Sequence, residues 1–100
     1  MNPKVFSEKI LHWQGANAVL WTYSVSLSEL HLRLQKNGLR GNLHVACSGV
    51  SLIKCLVSWR VDDLQAETIN EGEYVVIDRS NGFEVRCKNI RILEDVDPVY

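Results

Sequence analysis

One hundred residues, 46% apolar and 23% charged with a net charge of −1, suit a single globular domain with one modest core. This balance excludes a disordered chain and the dense cationic stripe that tracks a phosphate backbone, so nucleic acid is disfavoured as a partner. No apolar run approaches the roughly 20 residues a membrane-spanning helix needs, and no membrane partner is expected.

The charge is unevenly spread. Residues 1–50 carry five basic and two acidic groups, residues 51–100 six basic and ten acidic; neither half is extreme enough to define a partner. After Met1 and Lys4, Glu8 and His12 interrupt any apolar stretch, so no leader is read and a complete, cytoplasmic chain is expected. Cys47, Cys55 and Cys87 are odd in number and match no common zinc spacing. Reduced thiols acting as small apolar side chains are expected, with one disulfide plus one free thiol as the alternative.

Taken in chain order, Pro3 to Gln14 reads as a short helix. Val5, Phe6, Ile10 and Trp13 form one stripe, Asn2 is placed to cap it, and Gly15 stands just past its end. Ala18 to Leu27 reads as extended, with Trp21, Tyr23, Val25 and Leu27 alternating with hydroxyl residues. Leu27 is odd-numbered and Leu30, Leu32 and Leu34 are even, so a bend, bulge or turn is required near Ser28-Glu29.

The pattern is clearest in Leu30–Leu34 and Leu43–Cys47. Both alternate with period two, and between them lies Lys36-Asn37-Gly38-Leu39-Arg40-Gly41, rich in turn residues. Pairing Leu34 with Leu43, Leu32 with Val45 and Leu30 with Cys47 puts every apolar side chain on one face. A one-residue slip would destroy that. A helix over Leu27–Lys36, started by the Ser26/Glu29 capping-box spacing, competes, but it would scatter the three leucines around the helix.

Val50 to Trp59 lacks clean alternation, which predicts burial on both faces or a kink near Lys54, with a short helix as the alternative. Arg60 to Asp63 reads as a polar corner, Leu64-Ala66-Thr68 as a short strand, and Asn70-Glu71-Gly72 as a turn. A last hairpin pairs Tyr74–Arg79 with Phe83–Lys88. A three-residue loop, Ser80-Asn81-Gly82, sets Ile77 against Val85 and Val75 against Cys87, with glycine left-handed. Ile90–Leu93 reads as a final strand after a bend at Asn89, and Glu94–Tyr100 as a loosely held acidic tail. The fold class expected is α+β, mostly β: an antiparallel sheet or small sandwich or roll of six to seven short strands with one N-terminal helix.

Few residues carry chemistry. In the register above, His31 faces Ala46 and His44 faces Arg33. The two imidazoles are then diagonal neighbours on the outer face and weak candidate metal ligands. With Arg33 opposite and no third ligand adjacent, two solvated histidines are expected instead, and no metal or cofactor is assigned. Cys47 and Cys87 fall on apolar faces and read as inert. Asp62, Asp63, Glu67, Glu71 and Glu73 read as a solvated corner and face, not a catalytic pair. Trp21 and Tyr23 are expected to be core; facing the other way, they would form an exposed patch marking a binding site. Trp59 joins them as an aromatic candidate, and Arg86 and Lys88, with Arg91 as a possible third member, as a small cationic one.

No catalytic motif is present. The leading expectation is a small non-enzymatic domain that binds a protein partner or self-associates, for example through an open sheet edge. The alternatives are a small-molecule module with an aromatic-lined pocket between helix and sheet, and an enzyme without a recognisable motif.

Overall fold

A computed structural model describes residues 2–95. An α-helix, α1 (Pro3–Ile10), continues as one turn of 3-10 helix over Leu11–Trp13. Asn2 Oδ1 accepts a hydrogen bond from the Val5 N–H at 2.9 Å, Pro3 occupies the first turn, and Gly15 follows at φ +86°. The start and end signals in the sequence therefore act as expected. Phe6, Ile10 and Trp13 are buried, and Val5 lies at the margin of the stripe.

Nine strands follow among the described residues. They are β1 (Asn17–Ser24), β2 (Glu29–Gln35), β3 (Asn42–Ser48), β4 (Leu52–Lys54), β5 (Ser58–Arg60), β6 (Gln65–Asn70), β7 (Glu73–Asp78), β8 (Phe83–Cys87) and β9 (Asn89–Asp95). They form a five-stranded sheet, order β5-β1-β2-β3-β9, and a four-stranded sheet, order β4-β8-β7-β6, and every pairing is antiparallel. The architecture is mostly β with one N-terminal helix. There are more strands than expected partly because the stretch from Val50 to Trp59 breaks after Lys54, giving one short strand to each sheet. It contains no helix.

The β2–β3 register is the expected one: Leu34 faces Leu43, Leu32 faces Val45, Leu30 faces Cys47, His31 faces Ala46 and Arg33 faces His44. All six inward residues are fully buried. They meet Val76, Val85, Phe83 and Cys87 of the opposite sheet in one core, joined by Phe6, Ile10 and Trp13 from the helical segment. Trp59 stacks on Phe83 with ring centroids 4.8 Å apart, linking the sheets through an aromatic pair.

Three expectations are corrected. The first is the β7–β8 register, in which Asp78 faces Phe83, Ile77 faces Glu84 and Val76 faces Val85. The loop is the four residues Arg79–Gly82, not three, although Gly82 does adopt the left-handed conformation (φ 68°, ψ 20°). Counting apolar matches favoured the wrong register because it treated Asp78 as an outward residue. Asp78 points inward and is fully buried, since its carboxylate accepts hydrogen bonds from the Asp62 N–H (3.0 Å), the Asp63 N–H (3.3 Å) and Asn81 Nδ2 (2.9 Å).

The second correction is the tail. Glu94 and Asp95 belong to β9, opposite Leu43 and Asn42. The remainder of the expected tail, residues 96–100, lies outside the described residues. The third is the orientation of β1, taken up below. Among the described residues no helix is long and apolar enough to cross a membrane.

The helical segment is docked by one side chain. Gln14 Nε2 donates to the Leu64 C=O and the Leu64 N–H donates to Gln14 Oε1, both at 3.0 Å, as a neighbouring strand would. Leu64 is buried, so Gln14→Ala orphans both its backbone groups. A loss of about 2 kcal/mol is expected from the urea midpoint, and an unchanged midpoint would refute this docking role.

Candidate interaction surface

The turn from β1 to β2 determines what the surface presents. β1 carries a bulge at Trp21: Leu20 faces Leu32, but Thr22 faces His31 and Tyr23 faces Leu30. Before the bulge the even residues Ala18 and Leu20 point to the core. Trp21 is on the outer face, where the Arg33 guanidinium lies 4.0 Å from its ring centroid; the bulge then breaks the period of two, so Tyr23 shares the face of Leu30. β1 stops at Ser24, leaving Val25 and Leu27 in the turn, which closes with Ser28 at φ +49°. Trp21 and Tyr23 are both exposed, contrary to the expectation of a core pair. The odd-numbered aromatic alternation misled; the quieter Ala16, Ala18, Leu20 set was the inward one.

The segment that crosses between the sheets completes this end. The Leu20 N–H donates to the Val57 C=O at 2.8 Å, so Leu56 and Val57 run along the edge of β1 beside Trp21. Trp21, Tyr23, Val25, Leu27, Leu56 and Val57 are 40–76% exposed. Six large apolar side chains along one end of a small domain are more than the scattered exposed leucines any protein shows. The half-buried Cys55 borders the strip; burial raises its thiol pKa, and its S–H donates to the Leu56 C=O at 2.8 Å.

The other predicted site residues are dispersed. Trp59 is buried against Phe83, with Nε1 lacking a hydrogen-bond partner; it takes no part in the surface. Arg86 lies on the outer face of the four-stranded sheet, paired with Glu84 at 3.1 Å. Lys88 sits where β8 leaves that sheet, packed over Gly49. Arg91 does not join Arg86, because β9 belongs to the other sheet, where Arg91 Nη2 lies 3.5 Å from Glu29 Oε1.

His31 and His44 keep their predicted diagonal relation, but neither is simply solvated. His31 Nε2 lies 2.6 Å from Glu29 Oε1. His44 is buried, because β9 pairs along the far side of β3 and sets Leu93 opposite it. Among the described residues no three His, Cys, Asp or Glu side chains gather as a ligand set.

A shallow groove of about 400 Å³ crosses the outer face of the four-stranded sheet. Val75, Ile77 and Ile69 floor it, and Lys54, Glu67, Arg79, Glu84 and Arg86 rim it. Its charges largely neutralise one another through the Arg79–Glu67 and Arg86–Glu84 pairs, at 3.3 and 3.1 Å. Phe83 is its aromatic side chain, so it is not the aromatic pocket between helix and sheet that the sequence raised.

The sheet edges differ in length and cover. β4 and β5 are three residues long, and α1 packs on β6. β9 presents a seven-residue edge opposite its pairing with β3. Comparison with protein-family models, with curated proteins and with solved structures gave no match.

Proposed function

We propose that this chain is a non-enzymatic protein-interaction module that associates with a second copy of itself through the apolar end formed by β1, the β1–β2 turn and the segment before β5. The observation that carries this reading is the set of six exposed apolar side chains on β1, the β1–β2 turn and the segment hydrogen-bonded to β1. Such a strip loses free energy in water at about 25 cal/mol per Å² of surface that remains uncovered. The six side chains carry no charge, so the strip complements its own two-fold copy without requiring an opposite field. Arg33 holds the Trp21 ring against the sheet, which lowers the entropy cost of burying it.

Sedimentation velocity over a concentration series tests this. A dimer is expected. Leu27→Glu or Val57→Glu, each counted twice in a two-fold interface, should weaken it by about 100-fold. Both sites are exposed, so monomer stability should change by less than about 0.5 kcal/mol. A monomer at the highest attainable concentration overturns the reading.

A second reading rests on the seven-residue β9 edge, whose outward N–H and C=O groups offer a template for strand addition. The same experiment separates the two. A dimer abolished by Leu93→Pro and indifferent to Leu27→Glu would assign the contact to β9.

A further inference from the structure

Two segments of this chain cross between the sheets side by side. After β3 the chain leaves the five-stranded sheet at Ser48-Gly49, and after β8 it leaves the four-stranded sheet at Lys88. The crossings are locked together: the Lys88 N–H donates to the Ser48 C=O and the Ser51 N–H to the Arg86 C=O, both at 2.9 Å. They touch so closely that a Cβ built at Gly49 would lie 2.9 Å from the Lys88 Cβ. One residue before each crossing stands a cysteine, Cys47 on β3 and Cys87 on β8. Both point into the core and both are fully buried.

The thiols meet there. The neighbouring Cys47 thiol lowers the Cys87 pKa, helped by a backbone hydrogen bond from Asn89 and opposed by burial. The Cys47 pKa is driven up by the neighbouring Cys87 and by burial. A disulfide requires Cα atoms roughly 4.4–6.8 Å apart with their side chains converging. The Lys88 N–H to Ser48 C=O hydrogen bond joins the residues immediately after the two cysteines, and both cysteines belong to the same buried core, which brings their strands together at this point. Cys55 lies apart on the crossover after β4.

We propose that Cys47 and Cys87 are a redox-modifiable pair that closes to an inter-sheet disulfide under peroxide, leaving Cys55 as the free thiol. Cys87, as thiolate, attacks one oxygen of hydrogen peroxide. An S–O bond forms, the O–O bond breaks, and the departing hydroxide takes up a proton as water. The Cys47 sulfur then attacks the sulfenic sulfur. The S–S bond forms, the S–O bond breaks, and hydroxide leaves with the Cys47 proton as a second water. Two thiols lose two electrons, and one peroxide is reduced to two waters. The peroxide reaches the buried pair through local opening at the two crossings, and a dithiol reductant reverses the step.

The test exposes the full chain to hydrogen peroxide, alkylates it in denaturant and maps the peptides by mass. Alkylatable thiols should fall from three to one, with a single linked peptide joining Cys47 to Cys87. The thermal midpoint should rise by roughly 10 °C or more and return on reduction. Cys55→Ser should leave the crosslink intact. Three alkylated cysteines after peroxide, or a crosslink that includes Cys55, overturns the proposal. Because the native chain is mapped, the result does not depend on a core variant folding, nor on whether the apolar end forms a dimer.

Discussion

Replacing Asp78 by alanine should lower stability by about 3 kcal/mol and the thermal midpoint by roughly 12–24 °C. The carboxylate is fully buried and ties its own hairpin loop to a corner 15–16 residues earlier in the chain. It accepts from the N–H groups of Asp62 and Asp63 in the β5–β6 corner and from Asn81 in the β7–β8 loop. Asn81 Nδ2 also donates to the Arg60 C=O at 2.9 Å, and Ser80 Oγ to Asp62 Oδ2 at 2.6 Å, so corner and loop form one knot around Asp78.

Hydrogen bonds to a charged acceptor are worth about 1.5–3 kcal/mol each. Part of their sum is offset, because alanine also removes a buried charge. Asp78→Asn should be nearly as damaging: the carboxamide keeps one acceptor but turns its own N–H groups toward donors. Thermal unfolding of both variants checks this. A drop of less than about 1 kcal/mol for Asp78→Ala would mean that the knot does not hold the β7–β8 register.

Gly49→Ala should cost about 3 kcal/mol, from two separable causes. Gly49 adopts φ +67°, where a side chain is disfavoured by about 1–2 kcal/mol. The added Cβ would also meet the Lys88 Cβ at 2.9 Å, with Cγ and Cδ at 3.1 and 3.2 Å. The neighbour is the root of a side chain on a locked crossing, so relief requires backbone movement. Gly72 provides the control. Its φ is +77°, with no atom within 4 Å of the built Cβ, so Gly72→Ala should show the conformational cost alone. Denaturant midpoints for the two variants give the contact by difference, and equal losses would refute the close crossing.

The helix was readable because its signals are local: Asn2 caps, Pro3 starts, Gly15 stops. The β2–β3 hairpin was readable because both strands carry strict alternation and one register satisfies both. The turn near Ser28 and the break at Lys54 were readable as failures of phase. The hairpin β7–β8 was misread by one residue, because its register rests on a buried aspartate whose backbone partners are more than a dozen residues away. The candidate surface was half legible. Trp21 and Tyr23 stood out in the sequence, but no local signal shows that they are left uncovered. Leu56 and Val57 join them through a hydrogen bond to Leu20 that spans 37 positions.

The amino-acid sequence alone determined the fold class, the helix limits and the inward face of the central hairpin, since capping and alternation act within a few residues. Tertiary structure alone decided which tryptophan is exposed, which cysteines flank the close crossing and where the apolar end lies. Each of those depends on two crossings that bring remote segments within hydrogen-bond distance, and no short-range pattern encodes which segments those are.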